Sequence, residues 1–239
     1  MSIRTEPHLL DNAAWASLAG PHAHLSEGGD LVRRYRPSVS PILAIRDLHD
    51  DRTWDAAAAL VGPGQDVPLM SLEVDVPDGW TVGTSLEGVQ MIATDALEDR
   101  PDPEAVVLGP DDVEEMLALV ARTQPGPFEP ETYLMGQYLG IRREGALVAM
   151  AGERLHPPGW TEISAVCTDA EARGQGLASR LVRAVAHGIR LRGDRPFLHA
   201  AGFNTGAIAL YDHLGFEVRR TSTFAVARTP SDVSPVTSD

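Results

Sequence analysis

TEISAVCTDAEARGQGLASRLVRAVAHGIRL, residues Thr161 to Leu191, is the stretch on which the reading of the chain turns. Thr161 to Thr168 is apolar and β-branched, as a buried strand should be. Asp169 to Gln175 is polar and small, and reads as a loop. From Leu177 onward, Leu177, Leu181, Val182, Val185 and Ile189 recur at helical spacing, with Arg180, Arg183 and Arg190 interleaved. The pattern is strand, glycine-containing loop, long helix.

That loop has a physical use. Gly174 and Gly176 permit backbone conformations closed to other residues and allow a ligand to approach the main chain. The helix that starts there points its unpaired N–H groups and positive dipole end into the loop, which makes an anion site suited to a phosphate or pyrophosphate. Arg173 is placed to add charge, with Arg180 as a second candidate. Taken alone, Gly-x-Gly after a strand is equally compatible with a plain tight turn. A dinucleotide fingerprint would need a third glycine where Ser179 stands. A P-loop needs a lysine, and the chain has none.

Arg173-Gly174-Gln175-Gly176-Leu177-Ala178 fits the pattern Arg/Gln-x-x-Gly-x-Gly/Ala and resembles the acyl-CoA pyrophosphate loop of the GNAT acetyltransferase superfamily. A second segment strengthens the resemblance. Phe203 to Phe216, FNTGAIALYDHLGF, is similar to the family's asparagine–helix–Tyr-x-x-Leu-Gly-Phe element. It follows the loop by about thirty residues, with a short apolar strand, Pro196 to Ala200, between them. The resemblance covers about 105–228, roughly half the chain, and implies an α/β (α+β) GNAT fold: a mixed central sheet flanked by helices.

The resemblance also implies a reaction. The donor would be acetyl-CoA or another short acyl-CoA, and the acceptor a small-molecule or peptide amine. Backbone groups of Val166, Cys167 and Thr168 would hold the pantetheine arm, and one N–H there would stabilise the oxyanion. Arg173, Gly174, Gln175, Gly176, Leu177 and Ala178 would hold the pyrophosphate. Asn204 would contact the donor, or cap the helix that follows, or both. Tyr211 matches the family tyrosine that protonates the departing thiolate; packing in the core is its plainer role. Glu162, alternating with Ser164 and Val166 along the strand, is a candidate base for the amine, against the plainer reading of a salt-bridged carboxylate. Glu153 is a weaker candidate. A non-catalytic acyl-CoA-binding regulatory module is the alternative from a different class.

Composition bounds the rest. The chain has 239 residues, 43% of them hydrophobic and 23% charged, with a formal net charge of −14. This is ordinary for a globular protein with a real core. The acidity disfavours nucleic acid and suits a cationic acceptor. No apolar run is long enough to span a membrane, and the N-terminus lacks an apolar signal core. Cys167 is the single cysteine, which fits a reducing, cytoplasmic setting; a small buried hydrophobe is its plainer role beside a nucleophilic one. His22 and His24 form a His-x-His pair without further ligands at metal spacing, so no metal is expected. An oligomer is compatible with all of this.

Three segments are expected: an N-terminal α/β region over 1–103, a GNAT domain over 104–228, and a Ser/Pro/Asp-rich disordered tail over 229–239. In the first, Leu10 to Ala19 reads as a helix with Asp11 or Asn12 at its cap. Leu31 to Tyr35, Pro41 to Asp47, Val67 to Val76 and Gly88 to Thr94 read as strands, and Thr53 to Val61 as a helix capped by Thr53. The N-terminal region has no phosphate loop. It reads as an extension that covers the sheet edge or shapes the acceptor pocket, with a degenerate GNAT-like copy, as in glycine N-acyltransferase-like proteins, as the other reading. Asp95 to Pro103, DALEDRPDP, is acidic and proline-rich and reads as the linker. Beyond it come a strand at Ala105 to Leu108, a helix opened by Pro110, and a short helix at Glu131 to Met135. A hairpin turning at Glu144-Gly145 follows, and closing strands lie at Glu217 to Arg220 and Thr223 to Ala227.

Overall fold

The computed structural model describes residues 8–71 and 75–231. A 3-10 turn over Leu9–Asn12 leads into α1 (Ala13–Leu18). Asn12 caps this helix, its side chain accepting from the Trp15 N–H. The chain continues as β1 (Ser26–Gly28), β2 (Val32–Tyr35), β3 (Leu43–Ile45), α2 (Asp51–Val61), β4 (Asp66–Ser71) and β5 (Thr81–Ala93). It then runs through β6 (Val106–Leu108), α3 (Val113–Thr123), β7 (Tyr138–Arg143), β8 (Ala146–Glu153) and β9 (Trp160–Thr168). The last elements are α4 (Leu177–Leu191), β10 (Arg195–Ala201), α5 (Thr205–Leu214) and β11 (Phe216–Arg228).

Among the described residues, β1 to β3 form a small antiparallel sheet, and the other eight strands form one sheet in the order β4-β11-β5-β10-β9-β8-β7-β6. Only β9 and β10 in it are parallel, with α4 as their crossover. The mixed α/β architecture expected from the sequence is therefore present. Strands from both sides of residue 103 share the large sheet: β5 lies between β10 and β11, and β4 is the edge strand beyond β11.

Several local expectations are corrected. The cap of α2 is Asp50, whose carboxylate accepts from the Arg52 N–H. Thr53 is buried in the first turn, its hydroxyl donating to the carbonyls of Asp47 and Asp50. The two closing strands are one, because bulges near Arg219 and Val226 absorb the register shifts instead of ending the strand. Residues 95–103 are irregular but strapped to α4. Leu97 is buried, Asp99 pairs with His187 and Arg190, and Asp102 receives both forks of Arg180 at 2.7 and 2.8 Å. Thr229, at the start of the expected tail, is buried and bonded to Gly62 and Gln65. Residues 232–239 lie outside the described residues, as do residues 72–74 of the strand expected from Val67 to Val76.

Alternation along the strands divides the core into two layers. Leu139, Ile141, Ala149 and Ala151 join Leu177, Leu181, Val182, Val185 and Ile189 of α4 and Tyr211 and Leu214 of α5. Tyr138 and Met150 point the other way, to Met116 and Leu119 of α3. On β10, Leu198 and Ala200 belong to the α4 layer, whereas Phe197 packs with Leu10, Ala13, Leu18 and Trp160. The first helix thus covers the sheet face opposite α4. Burying the five large apolar residues of α4 contributes about 1.5–3 kcal/mol each, which anchors the helix whose N-terminus meets the loop.

Candidate active site

The sheet opens in its middle. The pairing of β9 with β10 runs from Trp160 opposite Arg195 to Ile163 opposite Leu198 and goes no further. Ser164 to Thr168 on one side and His199 to Ala201 on the other then line a cleft of about 710 Å³. A bulge accompanies the opening. Met150 pairs with Cys167 and Gly152 with Ser164, so Ala165 and Val166 together face one residue of β8. Ala165 takes a φ of 52°, a costly conformation for a residue with a Cβ. The bulge turns the backbone of β9 toward the cleft, leaving that edge without a strand partner.

One end of the cleft is the glycine loop. Gly174 and Gly176 have φ of 77° and 71° and nothing within 4 Å of where a Cβ would stand, so a ligand has free access to the main chain there. Gly176 is the residue before α4. The Arg180 N–H returns to the Gly176 carbonyl, and the N–H groups of Leu177, Ala178 and Ser179 precede this first helical bond. Arg173 is exposed and lines the cleft. Arg180 does not serve the loop, because its guanidinium is taken by Asp102 and Glu104. This open-backboned anion site, joined to an unpaired strand edge, fits a long ligand with a phosphorylated end and an extended arm.

Val166, Cys167, Thr168, Arg173, Gly174, Gly176, Leu177, Ala178, Asn204 and Tyr211 all line this cleft. Gln175 and Glu162 do not. Asn204 is the cap of α5, its side chain accepting from the Ala207 N–H at 3.2 Å. Tyr211 is 7% exposed and packed edge-on to Phe216. Burial pushes its phenol up to about 12, so it keeps its proton at neutral pH. Burial likewise raises the Cys167 thiol.

Glu162 lies inside the protein at 0% exposure. Arg154 grips it with two bonds of 2.9 and 2.6 Å, and His199 Nδ1 lies 2.7 Å from Oε1. Burial alone would raise this carboxyl, but Arg154 and His199 outweigh it and hold it down at about 2. A carboxylate so strongly held ionised is a poor proton acceptor, and direct removal of the amine proton by Glu162 does not suit these surroundings. Glu153 is buried outside the cleft, paired with Arg192. Sequence reasoning passed over His199 and Arg154, which do line the cleft. His199 sits in an unremarkable apolar strand, and only the tertiary pairing joins it to Glu162.

His22 of the His-x-His pair is buried and bonded to Ser17 and Tyr35. Among the described residues, no group of three His, Cys, Asp or Glu side chains is placed to hold a metal. No helix among them is long and apolar enough to cross a membrane.

The model of the FR47-like protein family matches residues 138–225, the segment from β7 into β11. Mycothiol acetyltransferase from Thermomonospora curvata is 31% identical over 160 residues. The match takes in 64% of this chain and 49% of the relative, so the chain spans about half the length of that curated protein. A GCN5-related N-acetyltransferase from Kribbella flavida shares the fold at 18% identity, with a TM-score of 0.56 over 91% of this chain and 95% of its own. A crystal structure assigned to the GNAT acetyltransferases, from Novosphingobium aromaticivorans, superposes with a TM-score of 0.86 at 39% identity, covering 95% of this chain and all of the other. With the split sheet, the glycine loop and this full-length likeness together, the chain belongs to the GNAT acetyltransferase family.

Proposed function

We propose that the protein transfers an acetyl group from acetyl-CoA to a primary amine by direct attack, without a covalent enzyme intermediate. The observation that carries this reading is the cleft where β9 and β10 part, with the open glycine loop at one end and the Tyr211 side chain on its wall. The N–H groups at the start of α4 and Arg173 take the pyrophosphate. The unpaired edge at Val166 to Thr168 takes the pantetheine amides as a strand would, and a backbone N–H beside the bulge faces the thioester oxygen. Gln175 shapes the loop, and Asn204 holds the first turn of α5 against the donor. Tyr211 O–H gives its proton to the sulfur as the C–S bond breaks.

Calorimetric titration with acetyl-CoA, followed by a thiol-release assay, tests the reading. The acceptor panel is glycinamide, phenethylamine, spermidine and cysteine; the last is included because one relative is named mycothiol acetyltransferase. Binding together with amine-dependent thiol release is expected. Binding without release would leave an acyl-CoA-binding module, and no binding would remove the donor.

A further inference from the structure

Amine acetylation needs a group to take the nitrogen's proton. Five of the residues that line the cleft carry an ionisable group: Arg154, Cys167, Arg173, His199 and Tyr211, and the His199 side chain is 5% exposed there. The arginines remain charged. Cys167 and Tyr211 hold their protons, since burial raises both. His199 is left, and a neutral imidazole has one ring nitrogen free to accept a proton.

The hydrogen-bond network around His199 fixes its tautomer. The Gln90 side-chain oxygen accepts from Arg219 at 2.6 Å. Its nitrogen therefore faces the other way, donating to the Leu10 carbonyl at 2.9 Å and meeting His199 Nε2 at 3.1 Å. Nε2 must then be the accepting nitrogen, and Nδ1 carries the hydrogen that reaches Glu162 Oε1 at 2.7 Å. Carboxylate, imidazole and a basic Nε2 stand in line, with the ring fixed from both sides. The register places this chain across the sheet: Gln90 is directly opposite both His199 and Arg220.

We propose that His199 is the base that takes the acceptor's proton, with Glu162 and Gln90 as its positioning residues. This rests on the acetyl-transfer reading above. The amine lone pair attacks the thioester carbon, the N–C bond forms and the C–S bond breaks. The surplus nitrogen proton passes to Nε2, directly or across one water, while Tyr211 supplies the sulfur's proton. Return of the proton from imidazolium to the tyrosinate restores both groups, leaving acetamide and free thiol. The Gln90 N–H gives way as Nε2 is protonated and stays satisfied by Leu10. Glu162, on β9, favours the charged ring. Arg154 behind it and Arg219 and Arg220 on β11 oppose it, and Asp11 offsets the last two by pairing with both.

The test uses the full chain, acetyl-CoA and the four amines named above. His199→Gln should bind acetyl-CoA within about twofold of wild type, yet lose about 10²–10³-fold in kcat/KM. The wild-type rate should fall on the acid side of its pH profile, and that fall should vanish in this variant. Glu162→Gln should keep that acid limb but move it to lower pH, because the ring loses its counter-charge. A purely structural role would leave the profile's shape unchanged. Nitrogen-15 NMR of the wild type should show neutral His199 protonated at Nδ1, and this decides the matter even if a variant does not fold. Transfer by His199→Gln within about fivefold of wild type, or a proton resting on Nε2, would overturn the assignment. A wild type that binds no acetyl-CoA, or releases no thiol with any of the amines, overturns the transfer reading and this assignment with it.

Discussion

Glu162 and His199 stand on the two parallel strands at the point where these strands separate, and their side chains meet across the gap at 2.7 Å. Glu162 is the residue opposite Phe197, so both side chains and that of His199 lie on the face covered by α1 and the first 3-10 turn. Tyr211 approaches from the α4 layer. The two sides of the split sheet thus present opposite proton chemistry: a phenol that retains its proton on one, an imidazole with a basic nitrogen on the other.

Tyr211→Phe removes one oxygen from a packed ring and should leave the fold intact. If the phenol protonates the leaving thiolate, kcat falls about 10²-fold or more while the acetyl-CoA dissociation constant stays within about twofold. Steady-state thiol release and calorimetry on the same preparation separate the two. Unchanged kcat would return Tyr211 to a packing role beside Phe216.

Gly176→Ala puts a Cβ on a residue with φ of 71° immediately before α4. The expected strain is about 1–2 kcal/mol. It would be relieved by pulling the loop out of shape, so acetyl-CoA affinity should fall by about tenfold with only a small change in thermal midpoint. Calorimetry reads the first and a melting curve the second. A variant that is less stable but binds normally would place the donor elsewhere.

Arg180 provides the converse case. It stands in the first turn of α4, where sequence logic offers it to an anion, yet it is engaged by Asp102 and Glu104. Arg180→Ala should therefore cost stability, about 1.5–3 kcal/mol for its charged hydrogen bonds, and change acetyl-CoA affinity by less than about twofold. Urea unfolding and calorimetry check the pair of expectations. A large loss of affinity with little loss of stability would show that the guanidinium turns to the loop.

Acid should destabilise the protein in two stages. Burial, with His156 beside it, pushes His22 down from 6.5 to about 3. The unfolded chain then binds protons at this site that the folded one refuses. The stabilisation is complete above pH 6.5 and is lost as the pH falls toward 3. Glu162, held at about 2 against an ordinary 4.5, adds a second loss between pH 4.5 and 2. Each unit of separation corresponds to about 1.4 kcal/mol. Urea midpoints measured from pH 7.5 to 4 should fall steadily, and His22→Phe should flatten the upper part of that fall. A midpoint unchanged between pH 7 and 5 would contradict the first stage.

The sequence by itself determined those features that are local in the chain. The strand–glycine–helix stretch, the α4 stripe, the Glu144-Gly145 turn and the Asn204 cap depend on neighbours a few residues apart, and hydrophobic period and glycine placement encode such relations. The family motifs in 173–178 and 203–216 are contiguous for the same reason, and they were enough for the fold. What only the tertiary structure decided depends on partners far apart. The acidic stretch 95–103 looks like a linker by composition, but α4 presents Arg180, His187 and Arg190 to it and it becomes a strap. Glu162 looks like a free strand carboxylate until Arg154 and His199 close on it. His199 carries no local signal at all, because its surroundings come from β5, β9 and β11. The electrostatic state of a buried group is set by the charges that folding brings within a few ångströms, and linear order does not contain those distances.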